Sequence, residues 1–221
     1  GGAGNDTITV ALSIDDTVAG GDGTDTLSTS EVITSTGNVT GFEKLKLTAN
    51  VSQDMDFMSG NTISTVITGH SGAGVGFTDA SADVTTLQLT SDATGTTTFD
   101  RKTDTSSDAL TIDVNSGGTT TAISVVDEET ITIDNSEGAA TITTLTADDV
   151  TKLVFTGNLA TDVVNSTGIN LATVDASAST GAILLGTGGT NLSEQAITAT
   201  AGSGAFSFLS GAGADTITGG A

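Results

Sequence analysis

The chain has 221 residues, with 5 Lys and Arg against 27 Asp and Glu, a net charge of −22. So acidic a chain repels nucleic acid phosphates and anionic lipid headgroups, which argues against both as partners. It has no Cys, which excludes disulfides and thiolate metal sites, and no run nears the ~18 apolar residues of a membrane span.

The first recognisable element is a nine-residue phrase. It reads Gly-Gly-Ala-Gly-Asn-Asp-Thr-Ile-Thr at residues 1–9 and Gly-Gly-Asp-Gly-Thr-Asp-Thr-Leu-Ser at residues 20–28. It returns as Ser-Gly-Ala-Gly-Ala-Asp-Thr-Ile-Thr at residues 210–218, and Gly219-Gly220-Ala221 opens like a further copy. The pattern Gly-Gly-x-Gly-x-Asp followed by an apolar residue is that of a Ca²⁺-binding coil. Glycine turns the backbone at positive φ and can aim carbonyls inward, and the Asp adds a carboxylate. Ca²⁺ takes six to eight such oxygens. Gly1 and Gly20 stand about two nonapeptides apart. The two copies are therefore expected to stack, with Asp6 and Asp25 on one edge of neighbouring coils. Ile8, Leu27 and Ile217 are expected to point into the core.

From Thr40 a second repeat takes over. Residues 42–50 (FEKLKLTAN), 84–92 (VTTLQLTSD) and 150–158 (VTKLVFTGN) share one form, with weaker versions at 63–70, 109–115, 128–135, 171–177 and 194–201. Their central residues are Leu45, Val66, Leu87, Ile112, Ile131, Leu153, Val174 and Ile197, a period of about 22. Alternation places Leu45 and Leu47 on one face and Lys44 and Lys46 on the other. Second strands are expected near residues 76–78, 96–99, 122–125, 141–145, 161–164 and 182–185, with Gly, Asn, Asp and Ser turning the chain between them. A short alternating strand every 20–25 residues predicts an all-β solenoid: a parallel β-helix of about ten coils with an apolar inside and a Thr-rich outside. Three regions follow: a Ca²⁺ β-roll at 1–28, a β-helix at 29–209, and the start of a further roll at 210–221. Because both ends fall within repeats, the chain reads as a segment of a longer polypeptide.

The nonapeptides, together with Gly-Phe-Glu-Lys-Leu-Lys-Leu at residues 41–47, resemble the RTX family of secreted bacterial proteins, and most closely its surface-layer proteins and large adhesins. The resemblance implies a right-handed β-helix flanked by β-rolls, export by type I secretion, an extracellular place on the bacterial surface, and folding triggered by external Ca²⁺. It also implies a ligand set: the carboxylates of Asp6 and Asp25 with the carbonyls of Gly2, Gly4, Gly21 and Gly23, and Asp215 with Gly211 and Gly213. Ser210 departs from the first glycine of the motif. The stacking partner of that last turn is expected beyond Ala221 or in residues 202–204.

Catalysis needs an acid, a base and, for sugars, aromatic platforms. The one histidine, His70, lies in a Gly/Ser-rich stretch, and Tyr and Trp are missing, so no enzyme is expected. Arg101-Lys102, beside Asp100 and Asp104, reads as an exposed salt-bridged loop. The pairs Asp15-Asp16, Asp54/Asp56, Glu128-Glu129 and Asp148-Asp149 read as solvated loops, as does Asp22. Thr7/Thr9, Thr141/Thr143 and Thr216/Thr218 have the Thr-x-Thr form of ice-binding faces but recur at no fixed place in the coil. The expectation is a structural segment of a Ca²⁺-dependent surface assembly: an S-layer, a surface filament or a similar extracellular structure. Its partners are neighbouring copies or adjoining segments, and cell-surface polysaccharide is a further candidate. The alternative is a spacer or ligand-binding module of a large adhesin, for carbohydrate, a cell surface or ice.

Overall fold

A computed structural model describes residues 1–13, 15–35, 37–90, 92–115, 118–167, 170–189 and 191–220. In chain order the strands among them are β1 (Thr7–Val10), β2 (Val18–Ala19), β3 (Thr26–Thr29), β4 (Val39–Thr40), β5 (Lys44–Leu47), β6 (Ser52–Asp54), β7 (Thr65–Thr68), β8 (Gly76–Ala80), β9 (Thr86–Leu89), β10 (Ala93–Arg101), β11 (Ala109–Val114), β12 (Gly118–Val125), β13 (Thr130–Asp134), β14 (Ala140–Thr146), β15 (Lys152–Gly157), β16 (Thr161–Thr167), β17 (Thr173–Ser179), β18 (Ile183–Leu185), β19 (Thr198–Thr200), β20 (Phe206–Phe208) and β21 (Thr216–Thr218). A single 3₁₀ turn, Met55–Met58, follows β6.

The chain alternates between two sheets. Odd-numbered strands from β1 to β21 form one eleven-stranded sheet, and even-numbered strands from β6 to β20 form an eight-stranded one. β2 and β4 pair separately. Every pairing is parallel and joins each coil to the next, which makes a β-solenoid of about ten turns.

Alternation builds the core. In β5 and β9 the burial pattern repeats every second residue, with Leu45, Leu47 and Leu87 fully enclosed. Register stacks Leu27, Leu45, Val66, Leu87, Ile112, Ile133 and Phe155 in one column of the larger sheet. Gln53, Phe77, Phe99 and Val125 form a column of the smaller one. Each fully buried apolar side chain contributes roughly 1.5–3 kcal/mol, shared between neighbouring coils.

Two alignments differ from the sequence reading. Ile112 pairs with Ile133, not Ile131, and Val174 with Ala199, not Ile197. Both errors are slips of two residues, which leave the buried face unchanged because side chains alternate with period two.

Coil length divides the molecule. The offset is 19 from Thr7 to Thr26 and 18 from Thr26 to Lys44, and again 18 from Thr198 to Thr216. Between them, in the larger sheet, it is 21 to 25, as in Lys44 to Thr65 and Thr86 to Thr111. The short coils coincide with the nonapeptides, whose doubled length they match.

The smaller sheet begins only at β6. Gln53, fully buried on that first strand, closes its open side. Its amide donates to the Ile33 carbonyl at 3.0 Å and accepts the Ile33 N–H at 2.7 Å. A loop of the N-terminal coils is thereby fixed over the end of the core.

Candidate functional site

The site is built from stacked glycine turns. Gly4, Gly21 and Gly23 take φ of +114°, +119° and +139°, a region that side chains avoid. The stack is also too tight for a Cβ. One on Gly20 would land on the Gly41 carbonyl oxygen, one on Gly21 on that of Gly2, and one on Gly23 on that of Gly4. Backbone bonds knit the turns: Asp22 N–H donates to the Gly2 carbonyl at 2.9 Å, and Gly4 N–H to the Asp22 carbonyl at 2.8 Å.

The carboxylates form a column beside this stack. Asp6 accepts the N–H of Gly2 at 2.9 Å. Asp25 Oδ1 accepts the N–H of Asp6 at 2.7 Å, and Glu43 Oε2 accepts the N–H of Asp25 at 2.7 Å. Asp25 and Glu43 thus bond the backbone one coil back, whereas Asp6 bonds within its own turn. Glu43 is the member that the sequence reading missed. Its signal is the 18-residue step from Asp25, masked because Gly41-Phe42-Glu43 lacks the nonapeptide's glycines and runs straight into the Leu45/Leu47 strand. Asp25 is fully buried, and its Oδ2 has no hydrogen-bond partner. A buried carboxylate oxygen without a partner is costly.

The structure therefore brings Gly2, Gly4, Asp6, Gly21, Gly23 and Asp25 together in one stack. Asp22 is exposed, as expected. Asp25 Oδ2 lies beside Gly20 with the Gly41 carbonyl oxygen next to it; an unpartnered carboxylate oxygen beside a backbone carbonyl is donor chemistry for a hard cation such as Ca²⁺, and the residues fit it in kind. Among the described residues no three His, Cys, Asp or Glu side chains converge on one point. A cation here would draw most of its ligands from carbonyls.

The C-terminal turn is different. Gly211 and Gly213 stack on the carbonyls of Ser193 and Gln195, so the partner turn lies within residues 193–197. Residues 202–204 are not that partner; Gly202 underlies Gly220 instead. Asp215 Oδ1 accepts the Ile197 N–H at 2.9 Å. The Ser210 hydroxyl, and then that N–H, hold the Asp215 carboxyl below the usual carboxylate range. Ser210 thus serves Asp215 where the motif has glycine. The residue one coil back is Ile197, so this column does not pair two acids.

Arg101 overturns an expectation. It is buried, not exposed, and pairs with Glu128 at 2.5 Å, with side chains 3% and 0% exposed. Its guanidinium also donates to the carbonyls of Ser81, Val84 and Ala109 and lies 5.0 Å from the centre of the Phe99 ring. Burial raises the Glu128 pKa, against the pull of Arg101. Glu129 accepts the N–H of Asp108 at 2.6 Å, so neither member of this acidic pair is a free loop residue. Lys102 does reach solvent and bonds Asp56 at 2.5 Å. It borders a cleft of about 280 Å³ with Met55, Met58, Asp79 and Asp83. Nearby, burial and then the hydrogen bond that a protonated Asp100 donates to Asp127 raise the Asp100 pKa. The His70 ring packs against Gly72.

Thr does recur at one position. On the outer face of the larger sheet Thr7, Thr26, Thr65, Thr86, Thr111 and Thr132 stand in a single column, broken by Lys44. The next column, Thr9, Ser28, Lys46, Ile67, Gln88 and Asp113, does not repeat Thr, so a Thr-x-Thr array is not formed.

No family model, curated protein or solved structure matches the chain.

Proposed function

We propose that the chain is a non-catalytic structural segment of a secreted, Ca²⁺-dependent bacterial surface assembly of the RTX kind, an S-layer, surface filament or similar extracellular structure. The observation that carries this reading is the N-terminal turn stack of Gly2, Gly4, Gly21 and Gly23, where the buried Asp25 Oδ2, beside Gly20, lacks a partner. Asp6, Asp25 and those glycine carbonyls would hold Ca²⁺, whose charge offsets the crowded carboxylates. Asp215, Gly211 and Gly213 would form a weaker site, since Asp215 is already hydrogen-bonded. The chain's own residues supply the rest: glycines let the coils approach, and Asp25 and Glu43 lock one coil to the next. Neighbouring copies, adjoining segments and cell-surface polysaccharide are the proposed partners. A spacer or binding module of a large adhesin is the second reading, favoured by the Thr column on the outer face of the larger sheet.

Calcium titration followed by circular dichroism and thermal melting tests the proposal. Melting should rise with Ca²⁺ over ~10⁻⁴–10⁻³ M, and Asp25→Asn should remove that rise. A melt unchanged by exhaustive chelation and refilling overturns it.

A further inference from the structure

The five strands β1, β3, β5, β7 and β9 contain no Asp or Glu, in a chain with 27 of them. Their outer face carries Thr7, Thr26, Thr65 and Thr86 around two lysines, Lys44 and Lys46. The other three cations are engaged: Arg101 with Glu128, Lys102 with Asp56, and Lys152 with Asp175 at 3.9 Å. Among the described residues Lys44 and Lys46 have no carboxylate within ion-pair distance. The acids of this face begin one strand later, with Asp113 on β11 and Asp134 on β13. Asp113 is held in place through one oxygen by the Gln88 amide at 2.7 Å.

We infer that this face is an isologous contact between two copies of the chain. A half-turn about an axis lying along the strands, between β7 and β9, keeps strand direction and reverses strand order. It sets β5 of one copy over β11 of its partner, so Lys46 faces Asp113 and Asp113 faces Lys46. Lys44 then meets Thr111, while Ile67 and Ser28, at the levels of Gln88 and Asp134, are buried in their own chain beneath the contact; no like charges oppose. A half-turn about an axis in the contact plane but parallel to the solenoid would instead set β5 on β5, stack Lys on Lys, and is excluded by repulsion. The overlap spans eight strands at ~4.8 Å spacing and strands of roughly 13 Å, near 1,000 Å² in total. That is the lower end for a specific contact, so the dimer is weak, and its reciprocal charge pairs set orientation more than strength.

The inference rests on the assembly reading for its setting but not for its test, which needs no Ca²⁺-dependent readout. Sedimentation of the full chain over 10 μM to 1 mM, at low and high salt, measures it. The expected result is a concentration-dependent dimer weakened at least tenfold by Lys46→Glu and by Asp113→Lys, and restored when both are combined in one chain. Circular dichroism melts check that each variant is folded. A chain that stays monomeric at 1 mM, or a dimer indifferent to both substitutions, overturns the inference. So does a monomer that binds polygalacturonate through Lys44 and Lys46, which would give the face to acidic polysaccharide. The calcium melt is separate, so either proposal can fail alone.

Discussion

Arg101 serves five acceptors in one buried spot: two oxygens of Glu128 and the carbonyls of Ser81, Val84 and Ala109. Removing it leaves a buried carboxylate and three carbonyls unmet. Arg101→Met should therefore cost about 3–5 kcal/mol in chemical denaturation. Glu128→Gln should cost less, since the guanidinium keeps its carbonyls. A larger loss in the glutamine variant would show that the carboxylate, not the guanidinium, organises the site. Nothing local in the sequence announced this pair, because its partners lie 27 residues apart on different coils. Asp175 illustrates a shift in the other direction. The Ser177 hydroxyl at 2.6 Å, then its N–H, hold the Asp175 carboxyl below the usual range, with Lys152 a smaller cause. A folded pKa below the unfolded one means stability that is present above about pH 4 and lost as pH falls through the folded value. Ser177→Ala should flatten the stability profile below pH 4. Because Asp175 is 35% exposed, the loss at pH 7 should stay under about 1 kcal/mol.

The turns and strands respond to different rules. Gly21 sits at φ +119° with its Cα against the Gly2 carbonyl, so Gly21→Ala should cost roughly 1–3 kcal/mol and loosen the first coils before the rest. Hydrogen exchange would place the loss; a uniform change along the chain would count against a local effect. Gln53→Ala strands both backbone groups of Ile33, and each unmet group costs about 1–3 kcal/mol. The strands themselves were legible, because Leu45/Leu47 or Ile131/Ile133 alternate without ambiguity. Register was less so. Each strand offers two equivalent inward residues, so Ile131 and Ile133 compete for Ile112 on equal chemical terms, and only the closure of the whole coil decides. The carboxylate column was half legible. Asp6 and Asp25 stood in the motif, while Glu43 carried the same task in a different phrase. Gln53 was hidden for a related reason: its burial depends on an end of the smaller sheet that no local pattern marks.

Across the whole molecule, hydrogen bonds between strands run along the solenoid axis, from each coil only to its two neighbours. Covalent continuity runs the other way, around each coil. Tension applied at the two ends therefore loads one inter-coil seam at a time, like opening a zip, and not all of them together. Each released coil of about 21 residues pays out roughly 70 Å of chain against the ~5 Å it occupied. Pulled between its termini by optical tweezers, the chain should lengthen in about ten steps of that size at modest force. One cooperative rupture at high force would show that the coils do not fail singly. Such a rod behaves as a shock absorber: it yields length in small instalments, and the coils still stacked serve as the template on which the lost ones rewind.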